Sequence, residues 1–296
     1  MNKDIDFSQS FDEDFTVGQI LTIRAMLTII ETGRLSHKAY SMIAILPDGA
    51  GISFGKNQTT ENSGGLYRLL AMYQEMCEKE GQDFAFSDYM ERLYDGKDSS
   101  KKGALTSDKS FHQELVSEAD DVRLFREAQR RYFHKHYFRP AYEIASEYAI
   151  TNPLILAQIY DIAIQSGITG AKRLISKFDK TWKSPAKFDI DNDGHIDYDK
   201  ISDSEYDELE RLWGQGLTDY RLEWLLNFKS SRNPAHSNIV RKSSYRSYAF
   251  KDQIEKENWG LELPFDFRLI SKYKRRVPKI TSFTLTEDIV RQVELH

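Results

Sequence analysis

With 296 residues, 40% hydrophobic and 29% charged, the chain has the size and balance of a soluble globular protein of one large or two modest domains. A formal net charge of −5 argues against a nucleic-acid protein, which carries a basic face, and a lone cysteine, Cys77, excludes an intrachain disulfide. The start MNKDIDFSQSFDEDF lacks the basic end and apolar run of a secretory signal, and no apolar stretch is long enough to span a bilayer; the expectation is synthesis in the cytoplasm without an export signal.

Residues 17–31 place Ile20, Ile23, Leu27 and Ile30 on one helical stripe, and Thr32-Gly33 supplies the stop. Residues 39–46 and 51–55 read as two short strands around the turn Pro47-Asp48-Gly49. A helix follows over 66–79, with Cys77 on its apolar pattern, and 81–110 reads as turn-rich loop. From 111 to 177 the pattern is helical, punctuated by Pro140 and Pro153, and 153–166 is apolar nearly all round, the mark of a buried helix. The stretch 123–138 is basic and aromatic; its arginines suit either solvent or an anionic polymer, and His134 and His136 face apart, unsuited to a shared metal. Helices are expected again over 203–228 and about 245–257, and the last thirty residues suggest a strand or hairpin.

Glu31 closes the first helix, and Asp48 sits 17 positions later in a glycine-framed turn, Asp48-Gly49-Ala50-Gly51-Ile52-Ser53-Phe54-Gly55. Two carboxyl groups facing across a cleft are the tools of glycoside hydrolysis, which needs one protonated and one ionised. A helix C-terminus and apolar neighbours such as Ile30 favour the protonated form of Glu31. Asp48, among free backbone N–H groups, is expected to stay ionised and activate water, with Ser53 placed to hold it. On spacing alone, a solvated helix-end glutamate and an ordinary turn aspartate remain an open reading.

This stretch resembles the family 46 chitosanases and related lysozyme-like peptidoglycan hydrolases, in which a helix-ending Glu precedes a turn of the form Asp-Gly-x-Gly-x-Thr-x-Gly. Glu31 matches the acid, Asp48 the base, and Ser53 stands in the threonine's place. Ala50 replaces the arginine that chitosanases usually carry, which counts against chitosan. The run GISFGKNQTTENSGGL is closer to the lysozyme-like members, and looser likenesses at Tyr160–Gly167, Glu223-Trp224-Leu225 and Asn258–Leu261 extend the resemblance over about 17–265. It implies an α+β, mostly helical, two-lobed lysozyme-like fold with a small β element beside the cleft, and an inverting mechanism. Tyr40, Lys56, Gln58 and Asp161 are then candidate sugar contacts. Residues 1–265 are expected to form the catalytic domain and 266–296 a C-terminal extension.

The segment Asp189-Ile190-Asp191-Asn192-Asp193-Gly194-His195-Ile196-Asp197 follows the EF-hand pattern through nine positions, with carboxylates from Asp189, Asp191, Asp193 and Asp197 and the carbonyl of His195 as ligands. Lys200 occupies the twelfth position, where a bidentate glutamate is expected, so either Asp199, Asp203 or Glu205 completes the set or the site is weaker. The expectation is a structural Ca2+ ordering the connection between the helices on either side.

The reading favours a glycosidase that cuts the glycan strands of bacterial peptidoglycan, a muramidase with antibacterial use. Without an export signal, it would reach the cell wall or periplasm through phage lysis or a secretion system, the latter implying an immunity protein. Chitosanase, lytic transglycosylase and a non-catalytic, calcium-stabilised glycan-binding module are the alternatives. No nucleic-acid partner or membrane span is expected.

Overall fold

Thr16 opens helix α1 (Val17–Thr32) with a reciprocal cap: its hydroxyl accepts the Gln19 amide at 3.1 Å, and the Gln19 side chain accepts the Thr16 amide at 2.9 Å. Gly33, at φ 65°, ends it with its N–H on the Ile29 carbonyl. The helix is buried far beyond the expected stripe, with Met26, Leu27, Ile29 and Ile30 all inaccessible. The structure, a computed structural model, describes residues 6–191, 195–229, 237, 240–269 and 282–295.

A three-stranded antiparallel sheet follows: β1 (Ile43–Ile45), β2 (Ile52–Phe54) and β3 (Thr59–Thr60), with β2 central and Ser53 opposite Ala44 and Thr60. Helix α2 (Gly65–Glu80), short α3 (Ser87–Met90), α4 (Lys109–Asp121) and α5 (Arg123–Phe133) complete this lobe. Its core joins Ile52 and Phe54 to Leu69, Phe86, Phe111 and Phe125, and Cys77 is buried there as expected of a core residue. A π-helical turn, His134–Phe138, leads into α6 (Arg139–Glu147).

The second core is built on α1, α6 and α7 (Pro153–Asp179). Helix α7 is fully buried from Pro153 to Ala163, which is why its sequence shows no polar face. It is broken at Gly167, whose φ 69° and ψ 163° only glycine adopts without strain. Helix α8 (Asp203–Asn227) and helix α9 (Tyr245–Glu255) pack onto this lobe.

Strands β4 (Phe265–Arg268) and β5 (Ser282–Leu285) form an antiparallel pair with Phe265 opposite Leu285. The expected boundary at 265 therefore falls at the start of a strand. The unforeseen last helix, α10 (Glu287–Glu294), packs on α1 and buries Val290 and Val293, each contributing about 1.5–3 kcal/mol. Within the expected extension, the helix over 287–294 packs against α1. The chain is α+β and mostly helical. No helix among the described residues is long and apolar enough to cross a membrane.

Candidate active site

Glu31 is the second-last residue of α1, 14% exposed in its side chain, so the helix carries it to the edge of the second core. The β1–β2 turn is shaped by Asp48, whose Oδ1 accepts the Ala50 amide at 3.0 Å, and by Gly51 at φ +71°. A Cβ at Gly51 would lie 2.7 Å from Glu61 Oε2. That buried carboxylate accepts Ile52 N at 3.2 Å, Leu105 N at 3.0 Å and Thr106 Oγ1 at 2.8 Å, and so pins the base of the turn. Glu31, Asp48 and Ser53 all line one cleft of about 820 Å³, within the size range of ligand clefts. Asn57 and Gln58 lie on the β side, and Gln165, Lys242 and Arg246 line it from the other lobe.

A chain of buried charges stands behind Glu31. Arg246 Nη2 lies 2.7 Å from Glu31 Oε1, fixing one oxygen of that carboxyl group, and its Nε donates to Asp161 Oδ2 at 3.1 Å. Asp161 is also ion-paired with Arg221 and, through its second oxygen, with Arg246 Nη2. Arg221 Nη2 donates onward to Gln165 Oε1 at 2.8 Å. Asp161 and Arg221 are no more than 1% exposed. Burial pushes the Asp161 carboxyl upward, but the Arg221 and Arg246 charges outweigh it and hold the group below the ordinary aspartate range. Burial alone would lower Arg246; Asp161 and Glu31 instead raise it far above the usual arginine value.

Three expected sugar contacts lie elsewhere. Asp161 is the inaccessible centre of this ion chain and orients Glu31 through Arg246. Tyr40 is fully buried beneath the β lobe, its ring 5.4 Å from the Lys56 ammonium and 5.7 Å from the Arg130 guanidinium. Lys56 is 1% exposed and turns inward to Glu294 at 2.6 Å. Gln58 does line the cleft, at φ 55°, with Nε2 donating to the Met42 and Gly55 carbonyls at 3.2 and 3.0 Å. Arg221 was the readable signal that sequence reasoning missed: it stands four residues from both Leu217 and Leu225, on the apolar stripe of its helix, where an arginine needs a buried partner.

The sequence profile of glycosyl hydrolase family 46 matches residues 25–198, from the middle of α1 through the sheet to the acidic loop. The chain belongs to that family. Among solved structures it resembles the native chitosanase of Bacillus subtilis MY002 at 21% identity, over 94% of this chain and 100% of that one, with a TM-score of 0.69. A family 46 chitosanase of Gynuella sunshinyii in complex with chitotetraose is similar at 21% identity, over 92% and 98% of the two chains, with a TM-score of 0.67. At this identity the likeness speaks for the fold. No curated protein matches the chain.

As a family 46 glycoside hydrolase, the chain presents two carboxyl groups on one cleft, the residue set that protonation of a leaving oxygen and activation of water require. Both lobes supply the lining, so the pair straddles the groove between the two cores.

The acidic loop connects α7 to α8, well outside that lining. Carboxylate oxygens of Asp189, Asp191 and Asp197 lie within 4.8 Å of one another. Asp193 and Gly194 fall outside the described residues, and His195 is exposed. The oxygen-only donor set fits a hard cation. Lys200 reaches Asp191 at 3.1 Å and Asp197 at 2.6 Å, so the residue replacing the expected glutamate supplies a positive charge of its own. Those two hydrogen bonds raise the Lys200 ammonium above the usual lysine value.

Proposed function

We propose that the chain is an inverting hydrolase of a β-linked amino-sugar polysaccharide. In this reading Glu31 protonates the leaving oxygen, Asp48 activates water and Ser53 positions it. The observation that carries it is the convergence of these three residues on the cleft between the lobes. Chitosan is the first polymer to consider, because the similar solved proteins are chitosanases, one of them holding chitotetraose.

Peptidoglycan glycan strands are the second reading, favoured by charge. Besides Glu31 and Asp48, the described cleft lining holds no carboxylate, while Arg34, Lys38, Lys242 and Arg246 are cationic. Lys38 is paired with Asp120 and Arg246 with Asp161, but Arg34 and Lys242 have no ion-pair partner among the described residues. Such a lining disfavours a polymer with an ammonium group on every sugar and tolerates an acetylated or anionic one. A wall substrate would place the site of action in the bacterial envelope after assisted delivery, with an immunity protein in the producing cell.

Purified chain is to be incubated with chitosan and, separately, with wall sacculi, and the released fragments identified by mass and anomeric NMR. Soluble oligomers with an α-configured new end are expected. Release from chitosan supports the first polymer, and release of muramic-acid-containing fragments the second. A 1,6-anhydro end replaces hydrolysis with transglycosylation, and binding without release leaves a glycan-binding module.

We also infer that the acidic loop takes a structural Ca2+ through Asp189, Asp191 and Asp197, displacing the Lys200 ammonium, with Asp193 and the His195 carbonyl as the sequence pattern indicates. Calcium at about 100 times its Kd would add about 2.7 kcal/mol of stability, a Tm rise of roughly 5–10 °C. A melt that is the same in excess chelator and excess calcium would remove the ion from this account.

A further inference from the structure

The last helix ends in a buried carboxylate that touches both α1 and the β2–β3 turn, the elements that carry the two walls of the cleft. Glu294 Oε1 accepts Lys56 Nζ at 2.6 Å and Thr28 Oγ1 at 3.4 Å, and its Oε2 faces Arg24 Nε at 3.5 Å. The Glu294 side chain is 0% exposed and that of Lys56 2%.

Lys56 belongs to the β2–β3 turn, directly before Asn57 and Gln58 of the cleft wall and three residues after Ser53. Its amide donates to Gln129 Oε1 at 3.1 Å, and Gln129 Nε2 donates to the Tyr40 carbonyl at 3.0 Å, so the turn is held rigidly around the lysine stem. Thr28 and Arg24 belong to α1, one and two turns before Glu31. We propose that Glu294 is a positioning residue that sets the spacing between the helix carrying Glu31 and the sheet carrying Asp48 and Ser53. The inference rests on those residues being the reacting groups.

Holding the fold together does not by itself call for this arrangement. A buried ion pair is a poor source of stability, and apolar residues of similar volume would anchor α10 as well. What a carboxylate adds is directional contact with two elements at once. Burial pushes the Lys56 ammonium down to about 8, and Glu294 is the neighbour that favours its charge, against Arg24 and Arg130. Inversion requires the two carboxyl groups to be held ~6.5–9.5 Å apart, so a strut between their elements acts on turnover rather than on substrate affinity.

The test compares Glu294→Gln with the double variant Lys56→Met/Glu294→Leu, following melting, amide hydrogen exchange and kinetics on whichever polymer the wild type cuts. Glu294→Gln is expected to lower kcat about 10–100-fold with little change in KM, and to speed exchange across 52–60. The double variant should recover the Tm but not kcat, and it keeps the test alive if the single variant folds poorly. Unchanged kcat in Glu294→Gln, or recovery of kcat together with Tm in the double variant, overturns the proposal. Should the wild type cut neither polymer, the catalytic reading fails on its own; unchanged exchange at 52–60 would then separately remove the strut.

Discussion

Glu31→Gln is expected to reduce kcat on the order of 10²–10⁴-fold while leaving the fold intact. Glutamine keeps the shape and can still accept from Arg246, but it has no proton to give the leaving oxygen. Arg246 retains both Asp161 oxygens, so the ion chain behind the site survives the change. The carboxyl group is also partly exposed, and its loss opens no cavity. Release of new reducing ends, followed beside circular dichroism, checks this. Wild-type turnover in the folded variant would end the assignment of Glu31 as the acid. Asp48→Asn is the companion measurement: full activity there would shift the reading to a transglycosylase, which needs one acid/base group and no activated water.

The second large effect is on stability. Asp161→Asn should destabilise the protein by about 3–5 kcal/mol, a fall in Tm on the order of 10 °C, because it strips the shared counter-charge from two buried arginines. Among the described residues, Arg221 would keep the Gln165 side-chain carbonyl as a partner, and Arg246 would keep Glu31. The pH dependence gives a second readout. Since Asp161 is held below its ordinary value, the folded state binds fewer protons than the unfolded state through the acid range. Its stabilisation is therefore fully present above the unfolded value near 3.8 and is lost as pH falls through the folded value. The gap between wild-type and variant melts should narrow as the solution is acidified. A variant melting with the wild type at neutral pH would show that the arginines find other partners.

What the sequence disclosed was mostly local. Glu31 at a helix end, Asp48 in a glycine turn and the short strands on either side follow from capping and turn chemistry, which need only neighbours within a few residues. Tyr40, Lys56 and Asp161 were misplaced because proximity to a motif does not give the direction of a side chain. Lys56 finds its partner 238 positions away and Asp161 finds Arg246 85 positions away, separations that no local pattern encodes. The final helix was nearer to legible. Thr286 caps it ahead of Glu287 and Asp288, and Ile289, Val290 and Val293 share helical spacing, but its eight residues follow directly on a strand-like run, Ser282–Leu285, and are too few for a strong period.

The interruption at Gly167 separates two kinds of behaviour along α7. Its first half carries Asp161 against the arginines and Gln165 at the groove, while its second half runs out to the connection that bears the acidic loop. With no continuous rod between them, α7 gives an event at residues 189–197 no direct lever on the carboxyl groups, and α8, which follows the loop and carries Arg221, is the helix that joins the two regions. If the proposed cation binds there, any effect it has on the groove would travel through the α8 arginine and its Asp161 partner, not along α7.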